Sequence, residues 1–165
     1  MNPVPYDKYI KEVNQQLTKG GVFLTTQGKD KANAMVIGWG GITFFWGRPI
    51  FLVPVRESRF TYNLIDGTGE FTVSVPMDRD MKKALALCGT KSGRDLDKFR
   101  ECGFTAIPGQ KVNVPVIGEC SLHYECRVVF KQPMNPELLD KAISERFYPD
   151  YHTMFYGEIL ACYTT

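Results

Sequence analysis

The apolar residues near the start of the chain recur at helical spacing. After Pro5, residues Tyr9, Val13 and Leu17 fall at every fourth position, which predicts one helix. Consecutive glycines at positions 20 and 21 end it. The pattern then changes to short apolar or alternating runs separated by turn residues, which are typical of β-strands. These predicted strands cover residues 22–26, 34–39, 42–46, 50–55 and 71–75.

Helical spacing returns after residue 75. Asp78 is a candidate N-cap for a helix that carries Met81, Leu85 and Cys88 on one face. The pattern also predicts a short helix over 95–101, a long strand over 116–130, a helix over 136–147 and a last strand over 154–163. Many strands with few helices between them predict a mostly β fold, an antiparallel β-barrel with peripheral helices. We expect residues 1–165 to form a single domain.

Composition and charge restrict the class of protein. The chain has 165 residues, 44% of them hydrophobic and 23% charged, which suffices for one hydrophobic core. The net charge is +2 and no run of basic residues occurs, so we expect no nucleic-acid partner. The longest uncharged stretch covers only residues 32–47, too short and too rich in glycine to cross a membrane. Because the first 17 residues lack the apolar segment of a signal peptide, we expect a cytoplasmic protein.

The five cysteines do not predict a disulfide framework or a metal site. Their number is odd and no CxxC motif occurs, so reduced, buried thiols are expected. Cys120, His123 and Cys126 are close in sequence, but they fall on a predicted strand. Side chains six residues apart on a strand lie roughly 20 Å apart, and His123 would point to the opposite face. These three side chains therefore cannot coordinate one zinc ion.

Two stretches are rich in the residue types that commonly bind anions. "CGTKSGRDLDKF" (residues 88–99) combines glycines, hydroxyls, Lys91 and Arg94. It is not a nucleotide-triphosphate loop, because the glycines of that motif are missing and no strand precedes it. "VRESRFT" (residues 55–61) has Arg56 at the end of a strand and Ser58 as a candidate cap for a helix starting at Arg59. A capped surface helix with two solvated arginines is the alternative interpretation of this second stretch.

A third stretch has the composition of a wall for a flat ring. "KANAMVIGWGGITFF" (residues 31–45) combines Asn33, Met35 and Trp39 with bare glycine backbone. A polar amide, a soft apolar side chain and an aromatic ring suit a heteroaromatic ligand with polar edges. A core strand pair with a glycine bulge would produce the same composition.

Taken together, these stretches resemble the flavin reductase-like family of FMN-binding split β-barrels, which includes flavoredoxin-type proteins. The matching segments are NAMVIGWGGI, VRESRFT, GEFTVSVP, CGTKSGRDLDKF and YHTMFYGEI, which run in family order from about residue 20 to 160. The resemblance implies a six-stranded antiparallel Greek-key split barrel. It also implies a homodimer that binds FMN near the interface between its subunits, for which exposed aromatic residues such as Phe44, Phe45 and Trp46 could supply a surface.

The resemblance assigns roles to particular positions. It implies that the flavin ring lies along Asn33, Ala34, Met35, Val36 and Trp39. It places the phosphate and ribityl chain at Arg56, Ser58, Arg59 and Thr61. It implies that Cys88, Gly89, Thr90, Lys91, Ser92 and Gly93 close over the cofactor, with Lys98 nearby.

His152 is the one candidate catalytic residue. The resemblance places it near the flavin or the nicotinamide, and its unperturbed pKa lies near neutrality, so pH could modulate that contact. His123 is expected to be a core or edge residue.

The resemblance implies an oxidoreductase in which FMN carries the redox chemistry. An NAD(P)H-dependent flavin reductase is the leading hypothesis, with NADH or NADPH as the electron donor. An electron carrier whose tightly bound FMN is reduced by a protein partner is the alternative, and a flavin-binding module without turnover is a third possibility. Residues 133–149 do not match a donor-binding loop of the family, so the donor remains open.

Overall fold

The secondary structure consists of many short strands and few helices. The computed structural model describes residues 1–77 and 79–165, so the predicted N-cap Asp78 lies outside the described residues. The strands are β1 (Asn2–Pro3), β2 (Val22–Gln27), β3 (Ala32–Ile37), β4 (Gly41–Phe45), β5 (Arg48–Arg56), β6 (Glu70–Val75), β7 (Ala106–Ile107), β8 (Val116–Ile117), β9 (Leu122–Pro133) and β10 (His152–Thr164). The helices are α1 (Ile10–Lys19), α2 (Phe60–Thr68), α3 (Lys82–Thr90), α4 (Lys98–Cys102) and α5 (Lys141–Phe147), with a 3-10 helix at Pro136–Leu138.

The main sheet is antiparallel throughout. Its strands lie in the order β3-β2-β6-β9-β10-β5-β4, and β1 pairs with β10, while β7 and β8 form a separate pair. This arrangement confirms the predicted fold class of a mostly β structure with peripheral helices. The count differs, because the resemblance implied six strands and the main sheet has eight in the described part of the chain. All seven runs that the hydrophobic pattern predicts as strands contribute to this sheet.

Three predicted elements have different boundaries. The strand predicted over 116–130 is interrupted at residues 118–121, where the Cys120 N–H donates to the Ile117 carbonyl (3.0 Å). The helix predicted over 136–147 divides into the 3-10 turn and α5, because the Asp140 carboxylate caps a new helix start by accepting from the Ala142 and Ile143 N–H groups. The helix predicted over 95–101 begins only at Lys98, after its N-cap Asp97.

Two apolar clusters form the core, and the smaller one positions the candidate site. The larger lies between the strands of the main sheet and contains Phe51, Tyr124 and Phe155. The smaller holds α3 and α4 against β2 and β3, with Phe23 and Phe99 both packed edge-on against Phe104. Because α3 and α4 are fixed on β3 in this way, the loop between them, residues 91–97, stays beside that strand.

Two buried ionisable side chains inside the barrel, Glu125 and His123, have specific hydrogen-bond partners. The Glu125 carboxylate, fully buried, accepts hydrogen bonds from the N–H groups of residues 110–112 and from the Tyr163 hydroxyl. His123 is also fully buried, 3.1 Å from the Ser74 hydroxyl, and burial lowers its pKa to about 4. His123 is therefore a core residue, as expected from its position on a strand.

No helix in residues 1–77 and 79–165 combines the length and the apolar character that a membrane crossing requires. No three His, Cys, Asp or Glu side chains in the same residues lie close enough together to hold a metal ion.

Candidate functional site

Two adjoining pockets lie where β3, the start of α2 and the α3–α4 loop meet. The first has a volume of about 150 Å³ and is lined by segments 58–61, 88–89 and 91–94 together with Asn33 and Lys98. The second, about 180 Å³, is lined by residues 35–39, Pro54, Arg56 and His152. Both are lined by Met35, Val36 and Arg59, so they form one continuous groove along β3.

The first pocket is strongly electropositive. Four cationic side chains line it, and none of the described residues that line it is an Asp or a Glu; the four are Arg59, Lys91, Arg94 and Lys98. The Arg94 guanidinium donates to the Ser58 carbonyl (3.1 Å) and lies over the Phe60 ring. A carboxylate does approach from outside, because the Ser58 hydroxyl donates to Asp150. Four cations around a small cavity create the field that an anionic group requires.

Lys98 is the most unusual member of this set. Only 4% of its surface is exposed, and its ammonium donates one hydrogen bond, to the Cys88 carbonyl (2.9 Å). Within the described residues, no carboxylate lies within ion-pair distance of it. Burial lowers its pKa below the usual value for lysine. Since a buried charge without a counter-ion is costly, the pocket is electrostatically complete only with an anion in it.

Asn33 and Gly93 form the floor of the same pocket. The Asn33 amide N–H donates to the Thr61 hydroxyl (2.9 Å), while the amide oxygen is buried without a hydrogen-bond partner among the described residues. A β-carbon on residue 93 would lie 2.0 Å from that oxygen. Gly93 is therefore required to make room for the Asn33 amide. A hydroxyl or N–H group of a ligand that reached this buried oxygen would satisfy it.

The start of α2 supplies further donors. The helix begins at Phe60 with Arg59 in the N-cap position, and Ser58 makes no capping hydrogen bond. The prediction that Ser58 caps a helix starting at Arg59 is wrong, because its hydroxyl is used by Asp150. The first N–H groups of a helix have no intrahelical partner and favour anions. The Arg59 side chain makes no hydrogen bond or ion pair with the described residues, so its guanidinium is free for a ligand.

Aromatic side chains of the segment between β9 and β10 pack against Trp39, which lines the second pocket. Trp39 packs edge-on against Phe147 at the end of α5 (ring centroids 5.6 Å apart) and also contacts the His152 ring (5.3 Å). The Arg56 guanidinium donates to the Phe147 carbonyl (2.9 Å) and lies over the Tyr148 ring. Arg56 thus lies in the second pocket and does not line the first, where its predicted phosphate role would place it.

His152 lies at the start of β10 and is 8% exposed. Its Nδ1 is 3.3 Å from the Tyr148 hydroxyl. Burial, followed by the nearby charge of Arg56, lowers the pKa of His152 to about 4. The expectation that this group titrates near neutrality is therefore wrong, and the imidazole is neutral at pH 7.

Most of the residues predicted from sequence line the groove. The exceptions are Ala34 and Thr90. Ala34 is fully buried in the smaller apolar cluster and lines neither pocket. The Thr90 hydroxyl donates back to the Ala86 carbonyl in the last turn of α3 (2.7 Å). Neither side chain therefore takes the predicted place in the groove.

Sequence reasoning missed several residues of the site. Phe60 lines the first pocket but was given no role, although it lies inside a quoted motif. Arg94 also lines this pocket; its charge was noted, but it was not assigned to the cofactor. Phe147 and Tyr148 lie in the segment that the resemblance could not map. No local signal connects that segment to Trp39, because the contact joins residues more than one hundred positions apart.

Comparison with known proteins identifies the family. Residues 15–165 match the family described as the flavin reductase like domain. The chain belongs to this family. It is 32% identical over 138 residues to an uncharacterized protein of Archaeoglobus fulgidus, covering 84% of this chain and 68% of that protein.

Solved structures give the same result. The flavoredoxin of Desulfovibrio vulgaris superimposes with a TM-score of 0.71 at 27% identity, covering 88% of this chain and 69% of the other. The flavoredoxin of Methanosarcina acetivorans superimposes with a TM-score of 0.70 at 31% identity, covering 88% and 68%. The chain thus corresponds to about two thirds of the length of each of these relatives.

Proposed function

We propose that this chain binds FMN in the groove along β3 and acts as an FMN-dependent oxidoreductase with NADH or NADPH as its electron donor. One observation carries the proposal. Within residues 1–77 and 79–165, the buried ammonium of Lys98 lacks a carboxylate partner, and it shares an anion-sized pocket with Arg59. A phosphate monoester is the anion of FMN, and it would provide the missing counter-ion.

The donor set of the groove fits such a ligand. The phosphate would be held by Lys98, Arg59 and the start of α2, since these supply charge and free N–H groups. The unpaired oxygen of Asn33 is suited to a ribityl hydroxyl or a ring N–H. Met35, Val36 and the bare backbone at Gly38 line the continuation of the groove towards Trp39, where a planar ring would be accommodated.

The residues of the second pocket would bind and orient the electron donor. The flavin, when bound, supplies the hydride chemistry. His152 is neutral at pH 7 and would serve as a hydrogen-bond partner, not as a cation. Trp39 and Phe147 would exclude water from one side of the reacting region. Arg56 holds the Phe147 backbone and so fixes this wall.

An electron carrier with tightly bound FMN is the second candidate. The similarity to two flavoredoxins at 27% and 31% identity favours it. In that case a reduced protein partner would replace the pyridine nucleotide as donor. The same groove would still hold FMN, so the two candidates differ only in what the second pocket admits.

One experiment separates them. The protein is purified without added flavin, its visible spectrum is recorded, and NADH or NADPH is added under anaerobic conditions. Bleaching of the bound flavin supports the reductase, and bleaching only by a reduced protein partner supports the carrier. Bound flavin that is bleached by neither donor would support the third possibility, a flavin-binding module without turnover. Failure of the purified, flavin-free protein to bind FMN at all would contradict both proposals.

We also propose that the chain forms a homodimer through an exposed aromatic surface. Phe44, Phe45 and Trp46 are 47–59% exposed, and Trp46 packs edge-on against Phe130, which is 43% exposed. Contiguous exposed aromatic side chains are typical of interfaces. Light scattering of the native chain should give a dimer mass, and Trp46→Lys should shift it towards the monomer. A monomeric native chain at micromolar concentration would overturn this proposal.

A further inference from the structure

Two of the five free cysteines lie side by side, and one of them, Cys88, lines the first pocket. The Sγ atoms of Cys88 in α3 and Cys102 at the end of α4 are 3.9 Å apart. A disulfide requires about 2.05 Å, so the two sulfurs need to approach by roughly 2 Å. Cys88 and Cys102 are therefore close enough to be joined by a small movement of two short helices.

The two sulfurs face different cavities. Cys88 is 1% exposed and lines the first pocket. Cys102 is partly exposed and lines a separate cavity of about 820 Å³ between α3 and α4, together with Leu87, Glu101 and Glu119. A small reagent can therefore reach Cys102 from the cavity between α3 and α4 without entering the first pocket.

α4 contacts Cys88 at two points. Lys98 and Cys102 are four residues apart, so they lie one turn apart on the same face of α4. Lys98 donates to the Cys88 carbonyl, and the Cys102 sulfur touches the Cys88 sulfur. The loop that carries Lys91 and Gly93 lies between α3, which contains Cys88, and α4, which contains Lys98 and Cys102. A bond between the sulfurs would consequently fix this loop at both ends.

We propose that Cys88 and Cys102 form a redox-reversible pair, and that a low-molecular-weight disulfide oxidises them to a cross-link that holds the anion-binding loop in place. This assigns a covalent modification site that is distinct from the flavin chemistry.

The reaction balances as two exchange steps. The Cys102 thiol, as thiolate, attacks one sulfur of the small disulfide, forms a mixed disulfide and expels one thiolate. The Cys88 sulfur then attacks the Cys102 sulfur, forms the protein disulfide and expels the second thiolate. The two protons of the protein thiols pass to the two released thiols. The protein pair is oxidised by two electrons and the reagent is reduced by two.

Burial makes this exchange slow at neutral pH. It raises the pKa of Cys88 to about 12 and also raises the pKa of Cys102 above its usual value. Because the thiolate is the attacking species, the rate should increase as pH is raised above 7.

The cross-link should change the stability of the protein. It closes a loop of about 15 residues, which predicts a rise in melting temperature of roughly 6–12 °C for a domain of this size. This effect does not depend on flavin.

The effect on flavin affinity rests on the proposed function. A loop that is already ordered loses less freedom when the ligand binds, so FMN should bind roughly twofold to tenfold more tightly to the oxidised form.

The test uses the full-length chain, which is first reduced and then incubated with oxidised glutathione at pH 8.5. We expect a mass lower by two hydrogens, alkylation of three cysteines instead of five, and a disulfide between the tryptic peptides 84–91 and 101–111. Dithiothreitol should reverse all three changes. Absence of this link, or a link between other cysteines under these conditions, overturns the proposal.

Matched variants separate the cross-link from general thiol oxidation. Cys102→Ser replaces a partly exposed residue and should abolish both the link and the thermal shift. Cys120→Ser should leave them unchanged, because Cys120 lies in the same apolar cluster but contacts the Met81 sulfur instead of a cysteine. A thermal shift that persists in Cys102→Ser contradicts the proposal. If FMN binds to neither redox form, the proposed function fails while the mapped link still stands.

Discussion

Replacing Lys98 by methionine tests the electrostatic reasoning most directly. The substitution keeps the length and the apolar stem of the side chain but removes the ammonium. In the folded chain residue Lys98 is 4% exposed, and its ammonium donates one hydrogen bond, to the Cys88 carbonyl. Two of its three protons are therefore available to a bound phosphate.

The expected effects on binding and on stability differ in size. A hydrogen bond between charged groups contributes about 1.5–3 kcal/mol, so Lys98→Met should weaken FMN binding roughly 10-fold to 150-fold. In the flavin-free protein, loss of the bond to Cys88 is offset by removal of a buried charge that has no counter-ion. The free energy of unfolding should therefore change by no more than about 1 kcal/mol.

Calorimetric titration with FMN and urea denaturation of the flavin-free protein measure these two quantities. Lys91→Met is the matched control, because Lys91 lines the same pocket but is exposed to solvent. An exposed cation should contribute at most about 1 kcal/mol. If Lys98→Met binds FMN as tightly as the unmodified chain, or loses less affinity than Lys91→Met, the Lys98 ammonium does not bind the phosphate.

A glycine substitution and the pH dependence of stability provide two further predictions. Gly93→Ala should lower both the melting temperature and the FMN affinity, because the new β-carbon would lie 2.0 Å from the Asn33 amide oxygen. The control Gly67→Ala should lower neither quantity, because the new β-carbon would enter open space. Because the folded pKa values of His123 and His152 are lowered to about 4, the unfolded chain binds protons first as pH falls. Urea midpoints should therefore decrease between about pH 6.5 and 4, and a flat profile there would contradict the assignment of two buried, neutral imidazoles.

Much of the fold follows from local patterns in the sequence. The seven alternating or apolar runs all form strands of the main sheet, because a period of two residues places one side of each strand in the core. The anion pocket was also predictable in outline. Glycines, hydroxyls and cations cluster in 88–99 and 55–61, and the fold brings both clusters together.

The remaining features depend on tertiary contacts that no local pattern contains. Thr90 was assigned to the pocket by its neighbours, but a threonine near a helix end can hydrogen-bond the preceding turn instead. The lowered pKa of His152 arises from burial and from Arg56, which is brought to it by strand pairing between β5 and β10. The packing of Trp39 against Phe147 likewise joins distant segments.

The segment that carries α5 leaves and rejoins the sheet at neighbouring positions. Pro133 pairs with Thr153, and the Met134 N–H donates to the His152 carbonyl, so residues 134–151 form a connection whose two ends lie side by side. Lengthening such a connection destabilises the folded chain little, because loop-closure entropy grows only with the logarithm of length. Insertions here can therefore reshape what enters beside Trp39 while the cation-lined cavity keeps its geometry, which makes this hairpin a natural place to engineer new substrate preference.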